Sequence, residues 1–132
     1  MSSQKQGYDG RPVRVLLVDD ERQLVEALAE RLQLRGFETL VAHDGPPALD
    51  LLEKDLVELV VLDLRMPEMD GLEVLRRIKE KWPKTQVIIA TGHGDEEDRR
   101  KCLELGAFAF LSKPLDIKEL SGLLREAWST SS

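Results

Sequence analysis

The sequence predicts an α/β protein of the doubly wound type, in which helices cover both faces of a parallel β-sheet. Five short, mainly apolar runs alternate along the chain with five segments whose apolar residues have helical spacing. Most of the runs are apolar at successive positions, which is typical of strands that are buried on both faces. The 132 residues are enough for one domain with one hydrophobic core.

The first half of the chain is expected to hold three strands and two helices. Leucines recur every four residues after the first apolar run, and Gly36 then supplies a helix stop. Pro46 and Pro47 suit the first turn of the second helix, where the missing N–H group has no helical partner in any case. The expected elements are a strand at 13–18, a helix at 22–35, a strand at 38–42, a helix at 46–54 and a strand at 58–62.

The second half is expected to add three helices and two strands. The fourth helix is unusual, because every residue from Asp95 to Lys101 is charged and its apolar stripe is thin. We expect it to dock weakly, either as a solvated face or as an element that shifts between states. The expected elements are a helix at 71–81, a strand at 86–90, a helix at 95–105, a strand at 108–111 and a helix at 116–128.

Composition and the chain ends narrow the class of protein. The net charge of −6 disfavours direct binding to nucleic acid, which needs a basic surface. A single cysteine, Cys102, excludes an intramolecular disulfide. The sequence shows no signal peptide and no apolar run of membrane-spanning length, so we expect a cytoplasmic protein without a membrane partner. Residues 1–12 and 129–132 are expected to be flexible tails around one domain at 13–128.

Polar residues follow four of the apolar runs, at the points where the predicted strands end. In open α/β sheets, ligands bind outside the carboxyl ends of the strands. We therefore expect three carboxylates, one hydroxyl and one ammonium group at one edge of the sheet. The residues at these positions are Asp19, Asp20, Asp63, Thr91 and Lys113.

Such a cluster suits a divalent cation together with a phosphoryl group. Two carboxylates about 5 Å apart repel by roughly 3 kcal/mol at an effective dielectric of about 20, so we expect a cation among them. Oxygen ligands supplied by few protein groups suit Mg²⁺, for which Mn²⁺ could substitute. An aspartate can attack phosphorus to form an acyl phosphate, while a lysine and a hydroxyl can hold phosphoryl oxygens.

These residues resemble the receiver domain of two-component response regulators. The resemblance covers about residues 13–128 and implies a flavodoxin-like (βα)5 fold, with a five-stranded sheet of order 2-1-3-4-5. The segments that carry it are VDDE at 18–21, LDLRMPEMDG at 62–71, ATG at 90–92 and SKP at 112–114.

The resemblance assigns roles around the acidic cluster. It implies that Asp63 is the phosphoacceptor. It also implies that Asp19, Asp20, Asp63 and the backbone carbonyl of Arg65 bind Mg²⁺. Arg65 and His93 lie two residues after the acceptor and after the threonine, respectively, and are expected to tune the lifetime of the acyl phosphate.

A second group of residues is implied to transmit the signal. Thr91 and Lys113 match the residues that hold the phosphoryl group, and Phe110 falls at an aromatic switch position. The Lys113–Pro114 peptide aligns with one that is often cis in this family. Thr91 is expected to move toward the phosphoryl group, so that Phe110 turns inward and the face made by helix 4, strand 5 and helix 5 changes.

The implied partners are proteins. A histidine kinase or histidine phosphotransfer protein would supply the phosphoryl group, and a downstream protein or output domain would bind the helix 4–strand 5–helix 5 face. A homodimer that forms through this face on phosphorylation is a further hypothesis. Direct binding of nucleic acid by this domain is not expected.

Other functional readings remain open at this point. The chain could be a phosphorylation-independent receiver-like binding module. An Asp-nucleophile phosphohydrolase is disfavoured, because that chemistry commonly needs a second acid where Arg65 stands. Flavin binding is disfavoured by the acidic loop after the first strand, where a phosphate cradle needs small residues. We therefore expect the protein to catalyse its own phosphorylation and dephosphorylation but not to turn over a separate substrate.

The sequence leaves open whether the domain is a complete regulator or part of a longer one.

Overall fold

The computed structural model describes residues 6–131 and shows there five parallel strands that alternate with five helices. The strands are β1 (Arg14–Val18), β2 (Glu38–Ala42), β3 (Leu59–Leu62), β4 (Gln86–Thr91) and β5 (Ala109–Ser112). The helices are α1 (Arg22–Gln33), α2 (Gly45–Lys54), α3 (Gly71–Lys81), α4 (Glu96–Glu104) and α5 (Ile117–Ser131). Their order in the sheet is β2-β1-β3-β4-β5, so the predicted fold and strand order are confirmed.

The register of the strands brings their ends together. Val18 at the end of β1 pairs with Ala42 of β2 and with Leu62 of β3. On the other side of the sheet, Thr91 of β4 pairs with Ser112 of β5. Because the strands are parallel, the residues that follow them emerge at one edge, which we call the C-terminal edge.

Two hydrophobic clusters lie on opposite faces of the sheet, since alternate strand residues point to opposite sides. Helices α2, α3 and α4 pack on the first cluster and α1 and α5 on the second. Cys102 is the buried residue that α4 contributes, which agrees with the thin apolar stripe seen in the sequence. Across residues 6–131, each helix is too short or too polar to span a bilayer.

Helix boundaries differ from the prediction by more than one residue at two places. Helix α1 ends at Gln33 instead of residue 35, because the following residues turn into Gly36, whose φ is +94°. Helix α5 continues to Ser131, so residues 129–131 are helical and not part of a tail. Residue 132 lies outside the described residues.

Residues 6–12, which we call the N-terminal strap, were predicted to belong to a flexible tail but make specific contacts. Gln6 and Pro12 form an antiparallel bridge. The rings of Tyr8 and Trp128 meet edge to face, with centroids 5.0 Å apart. Trp128 Nε1 also donates a hydrogen bond to the carbonyl of Gln6 at 3.1 Å. The strap therefore packs against the last turns of α5. Residues 1–5 lie outside the described part of the chain.

A buried carboxylate anchors the strap. The side chain of Glu58 is almost fully buried just before β3, so its oxygens need hydrogen-bond donors. The backbone N–H groups of Tyr8 and Arg14 each donate to it at 2.7 Å. A Cβ at Gly7 would lie 2.3 Å from Glu58 Oε2, so a larger residue at position 7 would disturb this contact.

Candidate functional site

The three predicted carboxylates meet at the C-terminal edge. Asp19 and Asp20 directly follow β1, and Asp63 directly follows the neighbouring β3. One oxygen from each carboxylate lies within 4.8 Å of the other two. Asp19 and Asp63 are buried, whereas Asp20 is exposed. The Asp63 N–H group donates to the carbonyl of Val18 at 3.0 Å, which extends the sheet pairing to the acidic residues themselves.

The ammonium group of Lys113 lies among carboxylates. Its Nζ is 2.7 Å from Asp19 Oδ2, 2.7 Å from Glu21 Oε1 and 3.6 Å from Asp63 Oδ2. The lysine side chain is only 13% exposed, so solvent screens these interactions less than it would on an open surface. The approach to Asp63 is longer than a hydrogen bond, so Lys113 is an ionic neighbour of that carboxylate.

The pKa values at the site follow from burial and from these ion pairs. Burial raises the pKa of Asp19 above its ordinary value, and this outweighs the opposing effect of Lys113. Burial alone would lower the pKa of Lys113, but its bonds to Asp19 and Glu21 raise it above its ordinary value. The hydrogen bond from Lys113 lowers the pKa of Glu21. Lys113 is therefore a fixed positive charge at neutral pH.

The donor set fits a hard divalent cation. Three carboxylates within 4.8 Å supply oxygen ligands, which Mg²⁺ and Mn²⁺ prefer. The raised pKa of Asp19 reflects burial first and repulsion by Asp63 in addition, and a bound cation would offset both. Asp19, Asp20 and Asp63 are thus the residues that could hold a metal ion here.

Thr91 and Lys113 lie on adjacent strand ends. Thr91 is buried at the end of β4, and its carbonyl accepts a hydrogen bond from the Lys113 N–H group at 2.9 Å. The peptide bond from Lys113 to Pro114 is cis. The structure therefore brings the predicted hydroxyl and ammonium to the same edge as the acidic cluster.

Phe110 is packed against the loop between β4 and α4. A Cβ on Gly94 would lie 2.2 Å from Cζ of Phe110 and 2.8 Å from Cγ2 of Thr91. Only a residue without a side chain leaves room for the ring in this position. Gly94 thus connects Phe110 with Thr91, which places the two predicted switch residues around one glycine.

The two predicted lifetime-tuning residues lie on exposed loops at this edge. The backbone N–H of Arg65 is 3.4 Å from Asp63 Oδ1, and that of His93 is 3.4 Å from Thr91 Oγ1. Arg65 and His93 are both exposed. The role of the Arg65 carbonyl as a metal ligand and the effect of both side chains on lifetime remain predictions.

Glu21 is the site residue that sequence reasoning did not single out. It precedes α1 and makes one of the two short ion pairs of Lys113. A signal was present, because Glu21 directly follows the acidic pair in the segment VDDE. Its partner is 92 residues away along the chain, however, so their contact becomes visible only in the folded molecule.

Residues 15–125 match the profile of the response regulator receiver domain. The chain belongs to this family, which confirms the resemblance inferred from its motifs. Acidic residues bind Mg²⁺ in receiver domains, in keeping with the cluster of Asp19, Asp20 and Asp63.

Two curated relatives illustrate the likeness in sequence. The transcriptional regulatory protein CpxR of Escherichia coli (strain K12) is 44% identical over 112 residues, which cover 85% of this chain and 47% of CpxR. The transcriptional regulatory protein TrcR of Mycobacterium tuberculosis is 39% identical over 117 residues, which cover 89% of this chain and 46% of TrcR. The chain thus spans less than half the length of these relatives.

Solved structures show the same likeness in three dimensions. A CheY-like receiver domain protein from Methanospirillum hungatei JF-1 matches with a TM-score of 0.88 at 26% identity, over 91% of this chain and 96% of that one. The signal receiver domain of an HD domain-containing protein from Pseudomonas fluorescens Pf-5 matches with a TM-score of 0.87 at 34% identity, over 92% and 98%. These chains are matched over nearly their whole length.

Proposed function

We propose that this chain is a phosphorylation switch in a two-component signalling pathway and that Asp63 accepts the phosphoryl group. The observation that carries the proposal is the meeting of three carboxylates with Lys113 at the C-terminal edge. Membership of the receiver family supports a kinase or phosphotransfer protein as the phosphoryl donor. The similarity to regulators named as transcriptional supports an output in gene control.

In the proposed reaction, a carboxylate oxygen of Asp63 attacks the phosphorus of a phosphohistidine on the donor protein. The O–P bond forms as the P–N bond breaks, and the leaving imidazole keeps the electron pair and takes up a proton. Mg²⁺ held by Asp19, Asp20 and Asp63 would offset the charge of the transferring group. Lys113 adds a second, permanent positive charge beside Asp63.

The acyl phosphate is later hydrolysed by water, which restores Asp63. The domain then returns to its starting state without having processed a separate substrate, so it is not a turnover enzyme. The lifetime of the acyl phosphate sets how long the active state persists. Arg65 and His93 are placed on the loops that flank Asp63 and Thr91. Their side chains would set how readily water reaches the phosphoryl group.

Thr91 would transmit the change at the phosphorylated site to the neighbouring helix and strand. Its hydroxyl would donate to a phosphoryl oxygen, and this shift would alter the packing of Phe110 around Gly94. Helix α4 contributes little buried apolar surface, so it can be repositioned at small cost. The face formed by α4, β5 and α5 would then bind a downstream protein, an output domain or a second copy of this chain.

The test is intact mass after incubation with phosphoramidate, with and without Mg²⁺. We expect the protein to gain one phosphoryl group only when Mg²⁺ is present, and Asp63→Asn to gain none. The matched control is Asp50→Asn, which removes an exposed carboxylate of α2 and should behave like the unmodified sequence. Beryllofluoride binding is measured in parallel, because rapid hydrolysis can hide an adduct. If neither adduct nor beryllofluoride binding is found in folded protein, the chain is a phosphorylation-independent binding module.

A further inference from the structure

The ammonium group of Lys113 has three N–H donors, and two of them are engaged by carboxylates other than the proposed acceptor. Asp19 and Glu21 each lie 2.7 Å from Nζ, whereas Asp63 lies at 3.6 Å. A phosphoryl group on Asp63 would bring strong acceptor oxygens toward the same ammonium. The phosphoryl oxygens would therefore compete with Asp19 and Glu21 for the ammonium group of Lys113.

The two short ion pairs differ in how easily they can be given up. Asp19 is buried in the acidic cluster, so in the metal-free protein an unpaired Asp19 carboxylate would lack solvation. The side chain of Glu21 is 60% exposed, so water can solvate its carboxylate as soon as Lys113 leaves. A pair with one exposed partner costs less to break than a pair between two buried groups.

We propose that Glu21 is an exchangeable counterion of Lys113, which holds the lysine in the unphosphorylated state and is replaced by a phosphoryl oxygen. This inference rests on the proposed function, in which Asp63 is the acceptor. Glu21 is a positioning residue, because it acts on the phosphoryl group through Lys113. It competes with the phosphoryl group for the ammonium, so it opposes phosphorylation.

Removing the charge of Glu21 should therefore favour the phosphorylated state. Glu21→Gln leaves a side chain of similar size but replaces the ion pair with Lys113 by a weaker, uncharged contact. We expect phosphorylation by acetyl phosphate to be about two- to fivefold faster, and beryllofluoride to bind tighter by the same factor, which is the size of one exposed ion pair. The gain should shrink as the salt concentration rises.

The matched control is Glu26→Gln, which removes an exposed carboxylate from α1 of the same protein. Both substitutions are also combined with Lys113→Ala. Since Glu21 acts through Lys113, Glu21→Gln should have no effect in that background. A readout without Mg²⁺ is the NMR chemical shift of the carbon next to the Lys113 amine at neutral pH, which should change in Glu21→Gln and not in Glu26→Gln.

The outcomes separate this inference from the function on which it rests. If the unsubstituted protein is phosphorylated but Glu21→Gln behaves like Glu26→Gln, the counterion role is excluded and the proposed function stands. A slower reaction in Glu21→Gln, or an acceleration that persists in the Lys113→Ala background, also overturns it. If the unsubstituted protein accepts no phosphoryl group and binds no beryllofluoride, both proposals fail together.

Discussion

Arg65, on the loop after β3, forms an ion pair with Asp98 in the first turn of α4, with 3.8 Å between Nη2 and Oδ2. The same Asp98 oxygen accepts a hydrogen bond from the Asp95 N–H group at 3.3 Å, as half of the capping box that begins α4. The backbone of Arg65 contacts Asp63. The loop that carries the proposed acceptor is therefore connected electrostatically to the least firmly packed helix of the domain.

Replacing Arg65 with Ala should shorten the lifetime of the acyl phosphate. We expect the guanidinium to shield the phosphoryl group from water, so that its removal would expose the phosphorus to attack. The side chain is 63% exposed, so the free energy of unfolding should change by less than about 1 kcal/mol. The rate of hydrolysis is measured as loss of the phosphoryl group from the phosphorylated protein. Arg99→Ala, which removes an exposed arginine of α4, is the control. An unchanged rate would remove this role from Arg65.

Reactivity of Cys102 should report on the docking of α4. Cys102 is the only cysteine of the sequence and is fully buried, and burial raises the pKa of its thiol to about 11. A thiol reagent should therefore react only when α4 opens. Asp98→Ala removes half of the capping box and the pair with Arg65, which should favour opening by about 1 kcal/mol, or about fivefold in labelling rate.

The control for the labelling experiment is Glu97→Ala, which removes an exposed ion-pair partner of Arg100 in the same turn. It should change the labelling rate by less than about twofold, since exposed pairs on helices contribute little. Equal rates in the two variants would mean that the capping box and Arg65 do not hold α4 in place.

Gly94→Ala should displace the ring of Phe110. The new Cβ would overlap both the ring and Thr91, and such overpacking typically costs about 1–3 kcal/mol in stability. Because the overlap involves the far end of the Phe110 side chain, we expect the ring to swing outward, visible as lost NMR contacts between Phe110 and Thr91. Retention of these contacts at full stability would contradict the packing described above.

Gly122→Ala serves as the matched glycine substitution. Gly122 is exposed in α5, and apart from its chain neighbours and the backbone of its own helix no atom lies within 4 Å of its Cβ position. Alanine should therefore stabilise the helix, by about 0.5–1 kcal/mol. Thermal unfolding should thus move in opposite directions for the two glycine variants.

Alkaline pH should release the N-terminal strap. Burial, and next the negative charge of Glu58, raise the pKa of Tyr8 above its ordinary value of 10.0. The folded protein holds the hydroxyl proton of Tyr8 more tightly than the unfolded chain does. The protonated hydroxyl therefore contributes its full stabilisation below pH 10.0, and this stabilisation is lost as the pH rises through the raised pKa. Tyr8 is the only tyrosine in the sequence, so its absorbance near 295 nm reports it alone.

The matched variant for the alkaline titration is Tyr8→Phe, which keeps the ring against Trp128 but removes the ionisable hydroxyl. Its stability should depend less on pH above 10.0 than that of the unsubstituted protein. A tyrosine that titrates at its ordinary pKa in the folded protein would show that the strap does not pack as described.

The fold and the acidic edge could be predicted because their signals are local. A buried parallel strand is an apolar run, and the residue after it must emerge at the C-terminal edge, so Asp19, Asp63 and Thr91 could be placed together from the sequence. The strap could not be predicted, because its contact with Trp128 joins residues 122 positions apart. The same holds for Glu21 and Lys113. The last turn of α5 was missed because its residues are polar and small.

The hydrogen bond between Trp128 and the carbonyl of Gln6 also brings the two ends of the described chain side by side, at the opposite edge of the sheet from the acidic cluster. A short linker between residues 6 and 131 could close the chain into a ring, and new termini could be opened at the turn near Leu34, which is 85% exposed. Such a circular permutant would leave every strand intact, together with the residues that follow the strands. The strap would then become an internal hairpin.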